Sequence, residues 1–384
     1  MELKRLAIIT THPIQYNAPL FKLLSERNKI MIKVFYTWEQ SFENKVFDPG
    51  FNTIRSWDIP LLEGYQYEFV KNVSSKPGSH HFMGIVTPNL ITTINDWKPD
   101  FLLVLGWSFY SHLAVIRYFK GKIPVYFRGD STLLDEYNKF SVKKTVRRVC
   151  LKFIYKYIDK AFYTGTNNKE YYLKHGLKTN QLVYAPHSID NIRFSKEGNK
   201  QNLRQKLGIS DIDKIILFAG KFEKKKNPLL LIQAFKNIEN KNLHLVLVGN
   251  GKLENDIFTE ATSIHNIHIL PFQNQSQMPD VYTMADVFVL PSKGPGETWG
   301  LAINEAMASR KAVLASDKCG CSVDLIQNNI NGYVFESDNL SDLEEKLELC
   351  IQNCETFGVV SQKIIKDWSL ERTANCIEEE LLLN

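Results

Sequence analysis

The chain has 384 residues, beyond the size at which one hydrophobic core usually stops growing, so two domains are expected. An apolar share of 44% with 23% charged residues excludes disordered and collagen-like classes, and a net charge of +5 is too mild to select nucleic acid as a partner. Six cysteines (Cys150, Cys319, Cys321, Cys350, Cys354, Cys376) follow no repeated framework, which suits reduced thiols rather than secreted bridges.

Met1-Glu2-Leu3-Lys4-Arg5 runs into a strand without a signal-type apolar region and cleavage site, which predicts a cytoplasmic chain. No run approaches the ~18 apolar residues of a spanning helix, so any membrane contact is expected to be peripheral. Strands are predicted at residues 6–10, 31–36, 101–105, 125–128 and 161–164. The unbroken run Leu6-Ala7-Ile8-Ile9 suits a strand covered on both faces, and residues 17–26 read as the first crossover helix. Residues 39–64 lack a period and are expected to form a long loop. Residues 143–157 mix basic and aromatic side chains. Val146, Val149, Cys150, Phe153, Ile154 and Tyr157 fall on one helical stripe, which reads either as a core-facing side or as a face for an anionic membrane and a lipid-linked acceptor.

The polar stretch 195–201 loosens the pattern before a fresh strand begins at Ile215, so we expect domains at 1–190 and 191–368. The second half continues with strands at 215–219, 245–248, 267–270, 287–290 and 312–315, and residues 363–383 read as a helix. The resulting fold class is α/β: two doubly wound Rossmann-like domains facing a cleft at the carboxyl ends of their strands. Asp211-Ile212-Asp213 reads as a turn rather than a metal site. Cys319-Gly320-Cys321 has the wrong spacing for the usual zinc pair, and no metal is expected.

The chemistry concentrates after two strands of the second half. Pro291-Ser292-Lys293-Gly294-Pro295-Gly296-Glu297-Thr298-Trp299-Gly300-Leu301 opens a helix that is small or apolar almost all round. Glu305 on that helix has no basic residue three or four positions away, so it needs a partner from elsewhere in the fold or a ligand's hydroxyls. Glu297 alone would read as a solvated loop glutamate; beside Glu305 it reads as part of a site. The N–H groups of Trp299, Gly300 and Leu301 at the helix start suit a diphosphate. After the strand at 215–219, Gly220 permits a sharp exit, and Lys221 and Lys226 are placed to meet phosphate oxygens, while Lys224 and Lys225 read as a solvated basic turn. Fixed cations there would stabilise a leaving diphosphate as its charge grows.

Gly220-Lys221 with Lys226, then Glu297 and Glu305 in an E-T-W-G-L…N-E-A-M-A frame, resemble glycosyltransferase family 4 of the GT-B fold. Asn250-Gly251, Leu270-Pro271-Phe272, Ala285-Asp286-Val287, Asn331-Gly332 and Ala185-Pro186-His187-Ser188-Ile189-Asp190 extend the resemblance over residues 162–368. It implies a metal-independent, retaining hexosyltransferase that needs no cofactor and uses a nucleotide diphosphate sugar, with UDP favoured over GDP. Glu297 would touch the sugar hydroxyls, Glu305 the ribose, and Lys221 and Lys226 the diphosphate, with Thr298 and Gly220 beside them and the loop carrying Phe272 and Gln273 at the base. The acceptor would be a glycan or a lipid-linked one in surface polysaccharide assembly. The last helix, about 369–384, would pack back on the first domain.

Two departures stand out. Many relatives carry a histidine after the fifth strand of the first domain; here Asp130 takes that place, with Arg128 able to neutralise it, and an ordinary strand-end turn reads equally well. The glycine-rich loop some relatives use after the first strand is replaced by Thr10-Thr11-His12-Pro13-Ile14-Gln15. His12 and Gln15 face the acceptor side there, although a lone histidine is more often a local hydrogen-bond partner. Rival readings are a GT-B sugar-nucleotide epimerase or phosphorylase, a catalytically silent nucleotide-sugar binding module, and a dinucleotide oxidoreductase. The last lacks a full G-x-G-x-x-G turn.

Overall fold

The structure, a computed structural model, describes residues 2–43, 46–48, 53–55, 57–136, 141–196 and 200–383. They gather into two compact units: Met1–Val46, Pro60–His187 and Leu370–Asn384 in the first, Phe47–Ile59 and Ser188–Ser369 in the second. The strands in chain order are β1 (Arg5–Thr10), β2 (Met31–Tyr36), β3 (Val46–Asp48), β4 (Thr53–Arg55), β5 (Gln66–Phe69), β6 (Phe101–Leu105), β7 (Val125–Arg128), β8 (Lys160–Tyr163), β9 (Leu182–Tyr184), β10 (Lys214–Ala219), β11 (Leu243–Val248), β12 (Ile267–Leu270), β13 (Val287–Leu290), β14 (Ala312–Ser316) and β15 (Gly332–Phe335).

The first unit holds a sheet in the order β5-β2-β1-β6-β7-β8-β9 and the second a sheet in the order β12-β11-β10-β13-β14-β15; β3 and β4 form a separate two-stranded ribbon. The pairs within both large sheets are parallel. Helices cover both faces, which is why the central strands are continuous apolar runs: Leu6 to Ile9 and Ile215 to Phe218 are all buried. In the first unit one core lies under the helices that carry Leu90, Val115, Ile116 and Leu151. The other packs Leu20, Phe21 and Leu24 against Ala374, Ile377 and Leu381 of the last helix. In each sheet the order reverses beside the first strand, at β1/β6 and at β10/β13. Connections leave on opposite faces at such a point and open a crevice at the carboxyl ends.

Three expectations are corrected. Residues 363–383 are not one helix: Cys354–Ile364 ends in a 3-10 turn at Ile365–Trp368, and a separate helix, Leu370–Leu382, follows an extended Ser369. The interruption falls where the chain leaves the second unit for the first. Asn191 Nδ2 donates to Ile365 O there at 2.9 Å, and Ile189 bridges Ser369. Residues 47–59, read as part of the first domain, go with the second unit, and the expected loop 39–64 carries a short helix, Gln40–Glu43, and the ribbon of β3 and β4; residues 44–45, 49–52 and 56 lie outside the described ones. Finally, the helix Val142–Tyr155 does not turn its valines inward. Leu151 and Tyr155 face the core, while Val142, Val146, Val149, Cys150 and Phe153 are exposed. Of the stripe, Ile154 and Tyr157 do pack against the core beside Leu151 and Tyr155, so the buried face is turned partly away from the one that periodicity located.

Candidate functional site

The loops that follow β10 and β13 flank the switch point of the second sheet. The first leaves through Gly220 and reaches Asn227, which takes a left-handed φ of 54° before Pro228 opens the helix Pro228–Asn237. The second runs through residues 291–299 to Gly300, at φ 97° the N-cap of the helix Leu301–Ala308. Lys293 N donates to Lys225 O at 2.8 Å, tying one loop to the other.

Across that tie Lys226 Nζ meets Glu297 Oε2 at 2.6 Å, both side chains largely buried. The same carboxylate oxygen accepts from Ser292 Oγ at 2.8 Å, and Ser316 Oγ in turn donates to the Ser292 carbonyl. Glu297 is held over the start of the helix, its Oε1 3.8 Å from where a Cβ on Gly300 would stand. From below, Gly320 N donates to Glu297 O at 3.1 Å and Cys321 N to Trp299 O at 2.9 Å. A Cβ on Gly320 would lie 1.8 Å from Thr298 O, so only glycine lets the two backbones approach this closely. The Cys319 thiol nearby is pushed up to about 12, by burial first and then by the Glu297 charge, which leaves it inert.

Glu305 finds its partner on another helix, 23 positions upstream: Tyr282, on the helix Met278–Met284, donates to its Oε2 at 2.7 Å, and both residues are buried. The tyrosine satisfies that oxygen with a neutral donor. Trp299 is buried, donating Nε1 to Asn304 Oδ1 at 2.9 Å and packing on Trp368 with centroids 5.2 Å apart. Thr298 and Leu301 are half-buried, as are Gly220 and Lys221 directly beyond the end of β10. Beyond β12, Phe272 N donates to Asn250 Oδ1 at 2.6 Å, and Gln273 Nε2 bonds back to Pro271 O at 2.9 Å.

The remaining expected residues lie in the first unit. His12 is a local partner of Thr11 Oγ1, at 2.9 Å through Nδ1, and stands edge-on to Trp38. Gln15 is half-buried in the turn before the helix Ala18–Glu26. Arg128 is clamped by the carbonyls of Ala185 and Pro186, each at 2.9 Å, and burial brings its pKa down to about 10. Asp130 is exposed. His187, at the end of the first unit, joins them: burial and then the Arg128 charge hold its imidazole down at about 4, with Asp130 pulling the other way.

Thus Glu297 and Lys226 are in direct contact, and Arg128, Asp130 and His187 interact electrostatically. Ser292, Tyr282 and His187 were not expected at a site. Ser292 had a signal, since it opens the loop after β13, one residue beyond Pro291; Tyr282 and His187 reach their partners only through the fold. No group of three or more His, Cys, Asp or Glu that could hold a metal ion is found among the described residues.

Comparison with known proteins bears on this arrangement. Residues 199–363 match the model of the family described as Glycosyl transferases group 1. The crystal structure of Anabaena HepE in complex with UDP superimposes with a TM-score of 0.75 and 17% identity, covering 100% of both chains. The fold is GT-B. Among curated relatives, the lipopolysaccharide 1,2-N-acetylglucosaminetransferase of Salmonella typhimurium is 29% identical over 202 residues, 48% of this chain and 52% of that protein. The UDP-Gal:alpha-D-GlcNAc-diphosphoundecaprenol alpha-1,3-galactosyltransferase of Escherichia coli is 24% identical over 271 residues, 64% of this chain and 69% of that protein. The matched part thus spans about half the length of the first of these relatives.

Proposed function

We propose that the chain is a retaining, family 4 hexosyltransferase that moves a sugar from a nucleotide diphosphate donor, UDP favoured, to a glycan or lipid-linked acceptor in surface polysaccharide assembly. The Lys226–Glu297 pair at the β10/β13 switch point carries the reading. It puts a cation for the diphosphate beside an acid for the sugar, where open α/β sheets bind ligands. The UDP complex among the structural neighbours and the diphosphoundecaprenol acceptor of the Escherichia coli relative support the same class.

In this mechanism Lys221 and Lys226 hold the diphosphate, Glu305 the ribose and Glu297 the sugar hydroxyls. The bond from the anomeric carbon to the phosphate oxygen breaks as the acceptor oxygen bonds to the same face of that carbon. The acceptor's proton passes to the departing phosphate. The cations stabilise charge that grows only as the bond breaks, which lowers the barrier more than it tightens ground-state binding. Thermal shift across a panel of nucleotide sugars tests the donor, because a ligand bound only to the folded state raises its melting temperature. Turnover of the donor without any acceptor would instead fit an epimerase.

The reading also places the enzyme at the inner face of a membrane. No helix among the described residues is long and apolar enough to cross one. The exposed stripe Val142, Val146, Val149 and Phe153 is rimmed by Lys152, Lys156 and Arg147, with Lys156 Nζ 4.7 Å over the Phe153 ring. An apolar band edged by cations suits an anionic bilayer surface. Co-sedimentation with phosphatidylglycerol vesicles is expected for the wild type and lost in Val149→Glu. Binding that is equal in the variant, or absent with anionic vesicles, refutes the contact.

A further inference from the structure

The loops at the carboxyl edge of the second sheet are joined in series away from the Lys226–Glu297 pair. A Cβ on Gly249 would lie 1.9 Å from Gly220 O, so the loops after β10 and β11 touch backbone to backbone. Phe222 N donates to Asn250 O at 2.9 Å, and Asn250 Oδ1 accepts from Phe272 N at 2.6 Å, which fixes the loop after β12 on the loop after β11. The helix that follows this last loop supplies Tyr282 to Glu305. A nucleoside whose phosphates sit at Lys226 and whose ribose reaches Glu305 therefore extends toward residues 271–277.

At that end stands a piece of chain from far upstream. Asp58 accepts from Ser276 N through both carboxylate oxygens, at 3.1 and 3.3 Å, and from Ser276 Oγ; its own N donates to Asn274 Oδ1 at 3.4 Å. These bonds hold Trp57 with its ring centroid 6.4 Å from that of Phe272, the planes at 61°. Both rings are half-buried. They make a corner rather than a sandwich, so a flat base can lie on one ring with its edge against the other.

We infer that Trp57 and Phe272 form the corner that receives the donor's nucleobase, which makes residues 57–59 a recognition element for the base; this rests on the donor reading above. Base–aromatic stacking is sequence-tolerant and strong enough to detect, with loss of one ring weakening binding by about five- to a hundredfold. The rest of the donor would not feel that loss, because the phosphates contact lysines elsewhere.

Calorimetric titration of the full chain with UDP and, separately, with inorganic pyrophosphate tests the corner. In Trp57→Ala, UDP binding should weaken at least about fivefold while pyrophosphate binding and the melting temperature stay at wild-type values. Trp57→Phe, which keeps a ring, should retain most of the UDP affinity. Wild-type UDP affinity in Trp57→Ala overturns the inference, and so does a parallel loss of pyrophosphate binding, which would mean a structural role. A wild type that binds no nucleoside diphosphate overturns the donor reading and the corner with it.

Discussion

Replacing Glu297 by glutamine should strengthen the binding of UDP while abolishing sugar transfer. Lys226 is held by Glu297 at 2.6 Å, and a diphosphate must compete for the same ammonium. Two anions that share one ammonium at hydrogen-bond distance sit roughly 5 Å apart, and at an effective dielectric of about 20 they repel by about 3 kcal/mol. Part of that is offset by the attraction each feels for the lysine, so removing the carboxylate charge should gain about 1–2 kcal/mol, about tenfold in Kd. Glutamine keeps the shape and can still accept from Ser292 Oγ. The unliganded protein should nevertheless lose about 1–3 kcal/mol of stability, because Lys226 is left largely buried without its counter-charge. Lys226→Gln should weaken UDP instead. Titration calorimetry with UDP, which carries no sugar, isolates the phosphate contribution. UDP binding in Glu297→Gln that is no tighter than wild type refutes the reasoning, and full transfer by that variant refutes the assignment of Glu297.

Two further outcomes are expected. His112 is buried, bonded to Thr37 Oγ1 at 2.9 Å and to Gly106 O at 2.8 Å, and burial lowers its pKa to about 4; His187 is lowered similarly. Both pKa values lie below that of the unfolded chain, so the unfolded state binds more protons between about pH 6.5 and 4 and stability falls as pH falls through that window. His112 alone should cost about 2 kcal/mol by pH 5, read as a urea midpoint that drops in the wild type and drops less in His112→Asn; equal drops would exclude His112. Gly320→Ala forces a methyl to within 1.8 Å of Thr298 O, so it should destabilise the protein by about 1–3 kcal/mol and weaken UDP binding. A variant with the wild-type melting temperature and UDP affinity would refute the close approach.

What could be read from sequence follows the physics of burial. Strands covered on both faces leave an unbroken apolar run, and β1, β2, β6, β7, β8 and β10 through β14 lie within one or two residues of where those runs fall. The strands that escaped notice are β3 and β4, which pair only with each other, and β5, β9 and β15, which stand at sheet edges, where fewer contacts demand apolar side chains. The lysine and glutamate that meet were visible because both lie in the loops that follow central strands, β10 and β13. Tyr282 and Trp57 were not, because their partners Glu305 and Phe272 lie 23 and 215 positions away, and no local pattern encodes such a meeting. The stripe on residues 143–157 was found, but only Ile154 and Tyr157 of it pack against the core; periodicity gives a face, and the packing surface decides how far it turns.

The carboxyl edges of the two sheets differ in how their charges are held. In the second unit a cation and an acid, Lys226 and Glu297, neutralise each other in a short ion pair. In the first, Arg128 is occupied by two backbone carbonyls, so its charge is fixed in place and acts at a distance on Asp130 and on the imidazole of His187. These three come from the ends of β7 and β9, two positions apart in the sheet, with Tyr172 bonding both N and O of Gly129 between Arg128 and Asp130. A histidine thus does stand beside Asp130, brought there by the last strand of the sheet rather than by the residue that follows the strand itself. A neutral ring, a fixed cation and an exposed carboxylate can orient hydroxyls without offering a strong base. On the mechanism proposed above, in which the departing phosphate takes the proton, no strong base is needed there.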